Sequence, residues 1–201
     1  MVGLEKEILY LVSRVRYVTE TQVGKVFSNK KRNGKRTLKK TLRKMCNDYT
    51  LRKIPCNINY TNFKDNTYVY YLNGSSVIKG KNLTKMLIGS EINIRFNNSG
   101  YETIRFYRNA KVGEQKYDIF IEYINNNKVR LQALIDIDLE GNISTSKYDD
   151  LKNDIENSTI PFFMIPKVII ISSDEQRCIG SNEQNNIYFL DTSLHKLFNY
   201  L

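Results

Sequence analysis

Apolar residues in the first third of the chain recur at helical intervals. Ile8, Leu11, Val12 and Val15 share one face of a helix over residues 4–15, with Glu5, Lys6 and Arg14 outside it and Tyr17-Val18 closing it. Thr19 or Thr21 can cap a short second helix from Glu20 to Phe27, whose inward positions are Val23, Val26 and Phe27. Asn29 to Gly34 supply a turn. From Gly34 onward Leu38, Leu42, Met45 and Tyr49 form the apolar stripe of a third helix. At Leu51 the pattern becomes extended: a run to Tyr60 containing Ile54, Pro55, Cys56 and Ile58, a polar tip over 62–66, then the strand-like Thr67–Leu72. Pro55 has no N–H to donate, which predicts that its strand lies at a sheet edge.

After the small-residue break from Asn73 to Gly80, helical spacing returns in Leu83, Leu87, Ile88, Ile92 and Phe96, predicting a helix over 82–96 that ends near Gly100. Extended runs follow at 101–107, 117–124 and 129–139, the last two joined by a hairpin tip at 125–128. A helix over 144–155 turns Tyr148, Leu151 and Ile155 inward, with Ser144 or Thr145 as its cap. Residues 166–172 form a continuous apolar run suited to a strand covered on both faces. A strand over 187–190 and a helix over 193–200 finish the chain. The expectation is an α+β protein in two domains. Residues 1–80 have the order of a winged helix-turn-helix, three helices and then a hairpin, and residues 81–201 make a small α/β domain with a mixed sheet.

Charge sharpens this division. The formal net charge is +10, yet residues 1–80 hold 17 basic against 5 acidic side chains and residues 81–201 hold 14 against 16. Nine of the fifteen residues from Lys30 to Lys44 are basic and none is acidic. Lys35, Arg36, Lys39, Lys40 and Arg43 fall opposite the apolar stripe, and a helix with a core side and a cationic side suits a phosphate-lined groove. Double-stranded DNA is the expected partner of this part. Arg36, Lys39, Lys40 and Arg43 are the expected groove contacts, with Thr37 or Asn33 also able to reach base edges. Lys30, Lys31, Arg32 and the hairpin residue Lys64 are the expected phosphate contacts. No Trp or long apolar side chains interleave with the basic residues as an interfacial membrane helix requires, and the charged N-terminus reads as neither signal peptide nor span. Three cysteines without a C-x-x-C pair, and a single histidine, exclude a Cys/His zinc site and fit a reducing cytoplasm. The DNA-binding reading expects no cofactor, and Mg²⁺ is the alternative taken up below.

The second part carries candidate chemistry. Asp118 opens one extended run, and Asp136 and Asp138, two residues apart, share a face of the next. Three carboxylates at a sheet edge could hold Mg²⁺, with Glu91 or Glu102 nearby. A helix, a β-hairpin and Asp…(Asp/Glu)-x-Lys resembles the PD-(D/E)XK nuclease pattern. Here Asp138 stands where that pattern requires the lysine that positions or activates water. Lys116 and Lys147 are the candidates for a substitute, and neither is favoured. The alternative is that Asp136 and Asp138 cap or salt-bridge in a purely structural domain.

The whole layout resembles the replication-relaxation family of plasmids and conjugative elements. The resemblance rests on Tyr17-Val-Thr-Glu-Thr-Gln-Val-Gly-Lys-Val-Phe27, Val69-Tyr-Tyr-Leu-Asn-Gly74, Leu83-Thr-Lys-Met-Leu-Ile-Gly-Ser-Glu-Ile-Asn93, Tyr117-Asp-Ile-Phe120, and Leu134-Ile-Asp-Ile-Asp-Leu139 followed by Lys147-Tyr148. Lys85 or Met86 stands where members usually carry His, and Asp136 replaces the commoner Glu. The resemblance implies a winged helix coupled to a nuclease-related domain, in a DNA-binding accessory or initiation factor that works with replication or transfer machinery. Two functions are thus in view. One is a non-catalytic DNA-binding protein acting in replication, conjugation or transcription regulation, as a homodimer if the apolar segment 194–201 supplies the contact. The other is a metal-dependent endonuclease or nickase using Asp118, Asp136 and Asp138.

Overall fold

Residues 3–27, 34–60, 63–174 and 186–201 are described by a computed structural model, in which the side chains of Lys35 and Tyr60 lie outside the description. Helix α1 (Leu4–Val15) buries Ile8, Leu11, Val12 and Val15, as their spacing predicts. Tyr17-Val18 does more than close it. With Thr19 it forms strand β1 (Tyr17–Thr19), which pairs antiparallel with β5 (Tyr68–Leu72), and β2 (Leu51–Pro55) flanks β5 on the other side. Pro55 is thereby on an edge strand. Beyond it, β3 (Ile58–Tyr60) and β4 (Phe63–Asp65) continue the hairpin as a separate two-stranded ribbon. Between β1 and β2 the chain forms α2 (Glu20–Phe27) and α3 (Lys35–Asn47).

Helix α2 starts in a reciprocal cap. Gln22 N donates to Thr19 Oγ1 and Thr19 N donates to Gln22 Oε1, both at 3.1 Å, the Thr-x-x-Gln capping box. Gln22 also ties the element to α4 (Gly80–Asn98), because its Nε2 donates to Leu87 O at 2.9 Å and to Glu91 Oε2 at 3.2 Å. Buried Glu91 receives Lys25 Nζ at 2.6 Å, and Ser90 Oγ reaches Tyr17 O at 2.6 Å. These bonds place α4 with the N-terminal helices. The first compact unit therefore runs to Asn98, 18 residues past the break at Gly80 that suggested a boundary. Glycine and serine mark a turn there, but the packing continues through it.

The second unit, residues 99–201, is built on a five-stranded mixed sheet in the order β10-β9-β8-β7-β6. Strands β6 (Glu102–Val112), β7 (Gln115–Ile124) and β8 (Arg130–Asp138) are antiparallel neighbours. Strands β9 (Lys167–Ser172) and β10 (Ile187–Asp191) run parallel to β8. β6 extends five residues past the predicted end, to a two-residue turn at Gly113-Glu114. Gly113 has φ +56, and a Cβ there would meet Asp154 Cα at 2.7 Å, so only glycine lets this turn approach the following helix. The apolar run in β9 lies between β8 and β10 and is buried, as its composition predicts. The helix expected over 144–155 is instead a 3₁₀ turn, Thr145–Tyr148, and a short α5 (Leu151–Glu156). Tyr148 and Leu151 pack from it against Phe120, Leu134, Val168 and Ile170 of the sheet. Residues 193–200 hold a turn and the 3₁₀ helix Leu197–Asn199 in place of the predicted helix. Leu194 and Leu197 are fully buried, Phe198 packs on Tyr101 and Tyr200 stacks on Tyr188. Leu194 and Leu197 are thus core of their own unit, while Phe198, Tyr200 and Leu201 are partly exposed.

Candidate functional site

Helix α3 carries the cationic surface. Leu38, Leu42 and Met45 are buried while Arg36, Thr37, Lys39, Lys40 and Arg43 are exposed, so the expected split into core and basic faces is present. Tyr49 departs from the stripe and is 68% exposed. It is the left-handed residue (φ +55) past the helix end, where Thr50 N donates to Met45 O and Tyr49 N to Cys46 O, and this Schellman closure turns its side chain out. The basic face is not uniform. Lys39 Nζ lies 3.1 Å from Glu20 of α2, and Lys44 Nζ lies 2.6 Å from Glu5 of α1. Among the described residues, Arg36, Lys40 and Arg43 have no carboxylate partner. The first turn of α3 contains no acidic residue, and its cap, Gly34, makes no side-chain hydrogen bond. Lys30, Lys31, Arg32 and Asn33 lie outside the described residues, as does the side chain of Lys35.

Lys64 is exposed on β4, opposite Asn59 in the two-stranded ribbon, and Asn62 at its tip lies outside the described residues. The sequence reading missed two neighbours of α3. Exposed Lys53 of β2 packs over the ring of Tyr68 at 4.7 Å, and both lie on the sheet face of Tyr70. Tyr70 OH donates to Glu20 Oε2 at 3.2 Å, and Glu20 also holds Lys39, which connects this basic strand to α3. An exposed lysine two residues before an edge-strand proline was the available signal.

The carboxylates of the second unit are placed as follows. Ile119 and Ile135 are the last paired residues of β7 and β8 at their shared end. Past them, side chains replace the backbone ladder: Asp118 N donates to Asp136 Oδ1 at 3.2 Å, and Ile137 N donates to Asp118 Oδ2 at 2.7 Å. Asp118 is thus the fourth residue of β7, directly beside Asp136. Buried Asp136 accepts on Oδ2 from Lys147 Nζ at 2.5 Å and from Tyr148 OH at 2.8 Å. Lys147 also donates to Lys116 O at 2.6 Å and lies 4.5 Å from the centre of the Tyr117 ring. The lysine that the sequence did not favour is therefore at the carboxylate, brought there by the 3₁₀ turn. Lys116 contributes only its carbonyl. Burial raises the phenol pKa values of Tyr117 and Tyr148, and the Asp136 charge raises both further.

Asp138 does not join this pair. Its Oδ1 accepts from Glu140 N at 3.3 Å and Asn142 N at 3.0 Å, and its Oδ2 from Ile143 N at 2.9 Å, so it folds back onto its own loop. Glu91 belongs to α4 in the first unit, held by Gln22 and Lys25, and Glu102 is an exposed residue at the start of β6. Among the described residues, no three His, Cys, Asp or Glu side chains are grouped to hold a metal ion. Another buried carboxylate, Glu122, went unremarked in the sequence. Glu122 is fully buried on β7 and receives Arg105 Nη1 at 2.9 Å and Arg130 Nε at 2.6 Å. A lone charge in Ile-Phe-Ile-Glu-Tyr-Ile is the pattern that predicts such pairing.

Among the described residues, no helix is long and apolar enough to cross a membrane. Comparison with protein-family models, with curated proteins and with solved structures returned no match.

Proposed function

We propose that the first unit is a winged helix that binds duplex DNA, with α3 entering the major groove and the β2 to β5 hairpin acting as the wing. The observation that carries this reading is the charge of Arg36, Lys40 and Arg43 on the exposed side of α3, which among the described residues has no carboxylate partner. Cations grouped at the first turns of a helix repel its dipole and one another, and a phosphate backbone relieves both costs. Lys39 is oriented by Glu20 and takes a secondary role. Lys53 and Lys64, exposed on the hairpin, would supply contacts to flanking phosphates. In this reading the protein is a non-catalytic accessory or initiation factor of a plasmid or conjugative element, and the second unit serves partner contacts, including a second copy of the chain.

The metal-dependent nuclease alternative has less support, because protein donors already occupy oxygens of Asp118, Asp136 and Asp138. A gel-shift titration of the full chain on a pool of random duplexes tests the proposal. The Arg36→Ala/Lys40→Ala variant should bind at least about tenfold more weakly while keeping its circular dichroism, since each lost phosphate contact weakens binding at moderate salt. Equal binding by variant and parent removes α3 from the interface. Nicking of supercoiled plasmid in Mg²⁺, abolished by Asp136→Ala, would favour the alternative.

A further inference from the structure

A cleft of about 740 Å³ lies within the first unit, between the hairpin and the start of α4. Exposed Asn57 and Asn59 line it from the hairpin, and exposed Lys79 and Lys81, on either side of Gly80, line it from the helix. Half-buried Ile54 and Ile58 supply apolar lining. No Asp or Glu lines the cleft. The acid of the ribbon, Asp65, is buried and held in its own turn, where Oδ1 accepts from Thr67 N at 3.0 Å and from Thr67 Oγ1 at 2.6 Å. Lys64 stands across the ribbon from Asn59 on the same face and carries the positive rim onward. Lys53 precedes Ile54 and therefore faces the other side of β2, the side of Tyr70, which Glu20 links to α3. The hairpin thus has lysines on both sides, one with α3 and the others at this cleft.

We propose that the cleft binds the sugar-phosphate backbone of duplex DNA, as a second jaw supplied by residues that follow the three helices and the hairpin. The inference rests on the DNA reading and deepens it. A duplex presents a backbone on each side of a groove, so one strand passes the Lys53 side of the hairpin and the other lies in the cleft. Lys79 and Lys81 neutralise phosphates there, Asn57 and Asn59 donate amide N–H groups to phosphate or sugar oxygens, and deoxyribose carbons lie on Ile54 and Ile58. A polyanion suits this surface better than a free anion does. A single exposed lysine gains little from one small ion, whereas a strand releases counterion at every phosphate it places here.

Fluorescence anisotropy of the full chain on a pool of random duplexes, over a series of salt concentrations, tests the assignment, with circular dichroism checking that each variant is folded. Lys79→Ala/Lys81→Ala should bind about tenfold more weakly at moderate salt, and its slope of log K against log salt should be shallower than the parent's by roughly 2. Lys152→Ala/Lys196→Ala, the same change of charge at exposed positions of the second unit, should leave the slope unchanged. Asn57→Ala/Asn59→Ala should weaken binding without altering the slope, because an amide displaces no counterion. If the Lys79→Ala/Lys81→Ala variant does not fold, Lys79→Gln/Lys81→Gln, which keeps the side-chain stems, should give the same result. A slope unchanged by loss of Lys79 and Lys81 but flattened in Arg36→Ala/Lys40→Ala, or one flattened equally by the second-unit control, overturns the cleft and leaves the α3 reading standing. No duplex binding by the parent chain at low ionic strength overturns both.

Discussion

Asp136 shows how one residue's role depends on what folding brings to it. From the sequence it is one of three aspartates at strand positions. In the folded unit one of its oxygens is shared by a lysine and a tyrosine from the following turn, while Asp138, two residues on, caps a loop. Alternation along a strand puts residues on one face, but it cannot report that the strand ends and its last carboxylate folds back. Removing one member of a buried pair leaves a charge without a partner. Lys147→Met is therefore expected to cost about 2 kcal/mol in urea unfolding. Adding Asp136→Asn should recover part of that loss, because the unpaired charge is gone. A double variant whose loss equals the sum of the single losses would show that the pair is not coupled.

Helices and strands were legible in proportion to their periodicity. α1 and α3 have clean apolar stripes and appear where expected, and the buried run of β9 reads directly as an interior strand. β1 is three residues long, too short for any period, and is defined only by its partner β5. The C-terminal segment has helical spacing, yet its apolar side chains bury well in turns against Tyr101 and Tyr188, so tertiary packing overrides local pattern there. Capping chemistry was half visible. Thr19 was one of two readable caps, with Thr21, whereas the choice between them, the return bond from Gln22 and its extension to α4 needed the structure. Thr19→Ala should destabilise the first unit by about 1 kcal/mol, the usual value of such a cap. Thermal unfolding followed by circular dichroism checks it, and an unchanged midpoint would mean that the cap contributes nothing.

Across the whole molecule, buried phenols make alkaline stability a test of the packing. Burial raises the pKa values of Tyr70, Tyr117, Tyr123 and Tyr148, with Glu20 adding to the first and Asp136 to Tyr117 and Tyr148. An unfolded chain ionises tyrosine near about pH 10, so above that value the folded form holds more protons than the unfolded form. Stability is then complete below about pH 10 and falls as pH climbs toward the raised folded values. Ultraviolet titration should show a late fraction of the 14 tyrosines ionising together with loss of circular dichroism. Complete ionisation in one wave, with the fold intact, would contradict the burial. Charge is the other property of this scale, and it was fully legible: the excess of basic residues in 1–80 follows from counting. Which cations remain available did not follow, because Glu5 and Glu20 take up Lys44 and Lys39 across helices that are distant in sequence. The central claim is that the remaining cations meet phosphates, and the salt dependence of duplex binding, followed by fluorescence anisotropy, measures it most directly. Each neutralised phosphate contributes about −0.9 to the slope of log K against log salt, so a slope of about −3 or steeper is predicted, shallower by roughly 2 in Arg36→Ala/Lys40→Ala. Absence of binding at low ionic strength, or a slope that the double variant leaves unchanged, would contradict it.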